Sequence, residues 1–164
     1  MASLEYATRV VLMGIGATAI MDLWLIAMKL LGVATLNFAL VGRWVGHLRH
    51  GRFSHTSIAQ AAPIPREAEL GWITHYAVGI AFAILLARIQ GTTWLQEPTL
   101  APAIAVGAAT VVVPLFVVQP AMGAGFAFSN TPTPGKNCLR SVMTHTVFGV
   151  GLYLSAVLIA WAWK

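Results

Sequence analysis

Gly71-Trp72-Ile73-Thr74-His75-Tyr76-Ala77-Val78-Gly79-Ile80 aligns without gaps on Ser141-Val142-Met143-Thr144-His145-Thr146-Val147-Phe148-Gly149-Val150. Both stretches are apolar, and each carries one histidine at the same place. The segments upstream match as well: Gly16-Ala17-Thr18-Ala19-Ile20-Met21-Asp22-Leu23-Trp24 lies on Ala108-Ala109-Thr110-Val111-Val112-Val113-Pro114-Leu115-Phe116. The loops between them keep a trace, with Phe53-Ser54-His55-Thr56 answering Phe128-Ser129-Asn130-Thr131. This pattern reads as one helical hairpin written twice, repeat one over 7–90 with a loop insertion at about 33–58 and repeat two over 99–163, inside a single transmembrane domain covering 1–164.

Composition sets the solvent. The chain is 58% hydrophobic and 9% charged, with a mean hydropathy of +0.77, where a soluble domain carries about a quarter charged residues. Lipid must therefore solvate most of the surface. The net charge of +5 is not a nucleic-acid signal, because the basic residues sit in loops, where they set orientation and touch anionic headgroups. The single Cys138 excludes an intrachain disulfide. The N-terminal apolar run contains Asp22 and matches an internal segment, so it reads as a retained span rather than a signal peptide.

Four stretches are long enough to cross: Val10 to Leu31, Gly71 to Ile89, Pro102 to Pro120 and Val142 to Trp163. Roughly 20 helical residues cover a hydrocarbon core of about 30 Å. Trp72, Trp94, Trp161 and Trp163 fall at span ends, where interfacial anchors belong. Lys29, Arg43, Arg49, Arg52, Arg66, Lys136 and Arg140 follow spans one and three, against Arg9, Arg88 and Lys164 on the other side. That bias places loops 33–70 and 122–140 in the cytoplasm and both termini in the periplasm of a bacterial inner membrane, with the chain multipass.

The longer first loop has its own helical face of Phe38, Leu40, Val41, Trp44, Val45 and Leu48, opposite Arg43, His47, Arg49 and His50. It is expected to form an interfacial amphipathic helix. The fold class is thus all-α, a four-helix membrane bundle of two repeated hairpins plus that helix. His47, His50 and His55 are interleaved with arginines that would repel a metal ion, so headgroup contact is expected of them. Glu67 and Glu69 suit the first turn of the second span, where the helix dipole favours negative charge.

The polar residues inside the spans are the candidates for chemistry. Gly71, His75 and Gly79 share one helical face, as do Ser141, His145 and Gly149. Small residues around a histidine let another helix approach, so this face should point inward. Parallel copies would bring the two histidines to similar depth. Asp22 has the repeat partner Pro114, which cannot ionise and instead frees a carbonyl one turn earlier. A carboxylate at the bilayer centre costs about 2.5–3.5 kcal/mol, and Lys29 is two turns away, roughly 10 Å, so a histidine from a neighbouring helix is the better partner. The expected site is a cation or metal cluster of Asp22, His75 and His145, with Thr18, Tyr76 and Gln119 as hydrogen-bond donors around it. Two imidazoles and one carboxylate suit several transition metals, and His75 with His145 could instead clamp haem iron. Otherwise the histidines are polar glue, worth about 0.6 kcal/mol per bond. No HExxH, zinc-spaced cysteine pair or nucleophile motif occurs, and Gly123-Ala124-Gly125 has no strand before it, against a dinucleotide fingerprint.

Met21-Asp22-Leu23-Trp24, Gly42-Arg43-Trp44, Gly71-Trp72 with His75-Tyr76, Gln119-Pro120 followed by Gly123 and Gly125, and His145 with Phe148-Gly149 resemble a family of small bacterial inner-membrane proteins classed as a domain of unknown function. The resemblance runs over nearly the whole chain and implies a multipass membrane protein, with no activity or site residue attached. Three functions stay open: proton-coupled or metal-ion transport or sensing, a haem-binding redox subunit, and a non-catalytic structural or assembly protein. The lipid bilayer is the expected partner, and four helices are few for a transport path, which points to a homodimer.

Overall fold

The structure, a computed structural model, describes residues 3–163. Lys164, counted above for orientation, lies outside them. The described residues are helical, with no strand: α1 Ser3–Leu30, α2 Phe38–Leu48, α3 Glu67–Gln96, α4 Leu100–Ala109, α5 Gln119–Met122 and α6 Pro134–Ala162. Short 3-10 turns occupy Ile58–Gln60 and Phe126–Phe128, and a five-residue π segment, Pro114–Val118, precedes α5. Four helical stretches are long and apolar enough to cross a membrane: Ser3–Leu30, Glu67–Gln96, Leu100–Met122 and Pro134–Ala162. Only 28% of each of the first three and 33% of the fourth is buried, and large apolar side chains such as Leu23, Ile26, Ile73, Ile89 and Leu158 face outward. Water would penalise that surface and lipid does not, which fits a multipass membrane protein.

Local chemistry sets the helix ends. Glu5 in the first turn and Lys29 in the last both complement the α1 dipole. The α1 terminus is a Schellman motif, in which Val33 N–H donates to Met28 O, Gly32 N–H to Lys29 O, and Gly32 takes the left-handed conformation. Asn37 caps α2 by accepting from the Ala39 N–H at 3.0 Å. Inside α3, Gly91 breaks the helix at φ 77, ψ −178. Pro134 occupies the first position of α6.

α3 begins at Glu67, so Glu67 and Glu69 do fall in its first turn, and α6 begins at Pro134; both start upstream of the apolar stretches because polar first turns are helical yet contribute no hydropathy. Lys136 and Arg140 therefore lie within α6 and not in a loop. Trp94 is also not an interfacial anchor. It is 6% exposed, and its Nε1–H donates to Thr99 Oγ1 at 3.1 Å, which makes the indole cheap to bury. Arg9, expected among exposed basic residues, is 5% exposed, paired with Glu5 at 2.7 Å and stacked over the Trp163 ring.

The chain divides into two compact units, 1–34 with 76–110 and 143–164, and 35–75 with 111–142. In the first unit Met13, Leu86 and Leu152 are fully buried. Its helices approach through small residues: a Cβ on Gly14 would meet the Ile80 backbone, one on Gly79 would collide with Thr18 Oγ1, and one on Gly107 would strike the Gly149 backbone. Lipid removes the hydrophobic drive between helices, so such close van der Waals contact is what holds them. In the second unit Val41, Trp44, Ile58, Ala121 and Met122 form the core. There α2 crosses α3 backbone to backbone, since a Cβ on Gly42 would collide with Glu67 O and one on Gly71 with Phe38 O.

Candidate functional site

In the first unit, α1 and α3 bring together the carboxylate and the phenol. Tyr76 Oη–H donates to Asp22 Oδ2 at 2.9 Å, with both residues half-buried. One turn of α1 earlier, Thr18 is fully buried and its hydroxyl donates to Gly14 O at 2.8 Å. Thr18 thus spends its proton on its own helix and packs against Gly79. Trp24 Nε1–H donates to Thr144 Oγ1 at 3.3 Å, tying α1 to α6 one residue before His145.

His145 is positioned by the irregular third span. Pro114 has no N–H, so the helix cannot continue through Thr110, and α4 ends there. Thr110 Oγ1 lies 2.8 Å from His145 Nδ1 and also bonds Gly107 O. A hydroxyl has one proton; with it on the Gly107 carbonyl, His145 Nδ1–H becomes the donor and Thr110 the acceptor. The aligned threonines therefore play different parts. Thr18 packs on Gly79, whereas Thr110 meets His145.

His75 belongs to the second unit, as does Gln119 at the start of α5. The His75 ring is 4.2 Å from the Phe38 ring and 5.8 Å from that of Trp72, while Phe38 and Trp72 stand 4.6 Å apart. This aromatic stack at the α2–α3 crossing was not read from the sequence. The signal was available, because Gly42 and Gly71 mark where two helices can touch.

The polar face of α2 also requires a correction. Arg43 and His47, expected to meet headgroups, hold the following loop instead. Arg43 Nε and Nη2 donate to the two oxygens of Glu67 at 2.9 and 2.8 Å, and its Nη1 donates to the carbonyls of Ile58, Ala59 and Ala61. Glu67 also accepts from the Ile64 N–H; its carboxylate raises the Arg43 pKa above the usual arginine value. Trp44 Nε1–H donates to Phe53 O at 2.7 Å. His47 is 6% exposed, with Nδ1 at 2.8 Å from His55 Nε2 and Nε2 at 3.0 Å from Ala62 O. Burial pushes the His55 imidazole below its ordinary value, helped by charge on His47 and Arg52 and opposed by the nearby Ala121 backbone. Lone carbonyls in a loop need donors, and α2 supplies them from one face. Among the described residues, no three His, Cys, Asp or Glu side chains are grouped so as to hold a metal ion.

The sequence of residues 11–159 matches the family described as protein of unknown function, DUF2938. The chain belongs to the DUF2938 family. No curated protein and no solved structure matches it. The DUF2938 match includes Asp22, Tyr76, Thr110 and His145, together with the whole of α2.

Proposed function

We propose that this DUF2938 protein is a multipass inner-membrane protein that carries or senses a proton through the Asp22 carboxylate, with residues 33–70 and 122–140 facing the cytoplasm. The observation that supports this is the hydrogen bond from Tyr76 to Asp22 inside two apolar spans. Carrying a carboxylate charge at depth costs about 2.5–3.5 kcal/mol. A hydrogen bond to a charged group returns about 1.5–3 kcal/mol. His145, oriented by Thr110 in the same unit, is a second group able to exchange a proton. A proton is favoured over a metal ion because one carboxylate and one phenol suffice for it.

The same reading treats the two hairpins as copies of one ancestral unit. In both, the glycine one turn after the histidine receives the preceding helix, Gly79 at Thr18 and Gly149 at Ala103 and Gly107. The test is proton flux into proteoliposomes loaded with a pH-sensitive dye under an imposed gradient. Wild-type protein should conduct, Asp22→Asn should not, and Tyr76→Phe should fall between. A wild-type flux no greater than that of empty liposomes, or full flux in Asp22→Asn, would overturn the reading.

A further inference from the structure

The charges of the second unit are partitioned sharply. It contains six basic residues, Arg43, Arg49, Arg52, Arg66, Lys136 and Arg140, and two acidic ones, Glu67 and Glu69. Each acid already holds an arginine, Glu67 holding Arg43 and Glu69 holding Arg66. Arg49, Arg52, Lys136 and Arg140 are all exposed, and among the described residues none of them is paired with a carboxylate.

Beside these four cations the unit exposes large apolar side chains. Leu48 and Phe53 flank Arg49 and Arg52 on the turn after α2, and Phe53 is 55% exposed. Leu139 lies between Lys136 and Arg140 on the first turns of α6 and is 60% exposed. The loop after α2 meets the segment before α6 at residues 55–56 and 121–123, since the His55 N–H donates to Ala121 O at 2.8 Å and Gly123 sits against the backbone of His55 and Thr56; Asn130 Nδ2 donates to Gly123 O and Asn137 Nδ2 to Thr131 Oγ1, which ties the start of α6 back to that segment.

We infer that these four cations and the apolar residues among them form a binding surface for anionic phospholipid headgroups. Cations answer the phosphates, and Phe53, Leu48 and Leu139 enter the acyl boundary just beneath them. A nucleic acid or an acidic protein would satisfy the cations but leave the interleaved apolar groups in water. Zwitterionic lipid would cover the apolar groups while offering the cations no net charge. The chemistry selects a ligand with both parts, and it stands independently of the Asp22 reading.

The test is the melting temperature of the full chain in neutral detergent as phosphatidylglycerol, phosphatidylcholine, inorganic phosphate or an RNA oligonucleotide is added. Phosphatidylglycerol alone should raise it, and high salt should shrink the rise. Apparent affinity should drop about fivefold for each cation removed in the series Arg49→Gln, Arg52→Gln, Lys136→Gln, Arg140→Gln. Phe53→Ser with Leu139→Ser, which leaves charge untouched, should also weaken the effect. An equal rise with phosphatidylcholine, a comparable rise with phosphate or RNA, or a phosphatidylglycerol response unchanged in the fourfold glutamine variant or in the serine variant, would overturn the proposal.

Discussion

His47 and His55 are joined ring to ring, with Nδ1 of the first 2.8 Å from Nε2 of the second. The proton positions follow from the far ends. Ala62 O can only accept, so His47 Nε2 carries a hydrogen, and a neutral His47 then offers a lone pair at Nδ1. His55 Nε2–H must donate to it. That leaves His55 Nδ1 as a lone pair, buried and without a hydrogen-bond partner among the described residues. A further proton would have to reside at that buried nitrogen, with only the Ala121 backbone to favour it, or between two rings that already share one.

Stability should therefore fall on acidification. The His55 pKa is lowered in the folded chain from its ordinary value of 6.5. The unfolded chain takes up a proton near that value while the folded chain resists, so the stabilisation is complete above it. It is lost progressively as pH falls from about 6.5 toward the lower folded value. Thermal melts across about pH 5 to 8 should show this slope, and His55→Gln should flatten it. An equal slope in the variant would place the titration elsewhere.

The Asp22–Tyr76 bond has a magnitude that distinguishes its states. A double-mutant cycle with Asp22→Asn and Tyr76→Phe should give a coupling of about 1.5–3 kcal/mol if the acceptor is charged. A neutral intramembrane pair averages about 0.6 kcal/mol. A denaturation midpoint for the four proteins decides between them, and a value near zero would remove the bond from any mechanism.

Backbone contact at the α2–α3 crossing makes two glycines intolerant. Gly42→Ala and Gly71→Ala each place a methyl against a carbonyl that cannot rotate away. Each should cost about 1–3 kcal/mol. Gly135→Ala, whose added carbon meets nothing within 4 Å, is the internal control and should leave the melting temperature nearly unchanged.

Arg43→Lys should behave as a disruptive change despite keeping the charge. Lysine reaches one partner at a time, whereas the guanidinium serves Glu67 and three carbonyls together. Faster amide exchange and proteolysis across 53–62 should follow, and Glu67→Gln should reproduce part of the effect. Unchanged protection in both would mean the loop is held by other contacts.

The four apolar spans were readable because lipid exposure writes hydropathy directly into sequence. Their polar first turns were readable only in part: Glu67 and Glu69 suit a first turn by their charge, whereas Lys136 and Arg140 carry no such sign of lying on a helix. The α2 helix was readable from its period, but the role of its polar face was not. Arg43 and His47 look like headgroup residues until the carbonyls of 58–62, which need donors, come into view. Trp94 misled in the same way, because a buried indole requires an acceptor and only the fold supplies Thr99. Tyr76 was among the donors expected around Asp22, and the structure gives it that bond. Thr18 was expected there too, but its hydroxyl turns back to Gly14.

The wide turn at Pro114–Val118 has a consequence for the residues that follow it. A π turn accommodates a surplus residue, and each surplus residue swings everything downstream by about 100° around the axis. Side chains of Gln119 and Met122 thus point where an unbroken α-helix continued from Val113 would not send them. Deleting Val117 would restore a uniform coil and redirect that whole tip, a deletion whose effect no point substitution in the third span could imitate.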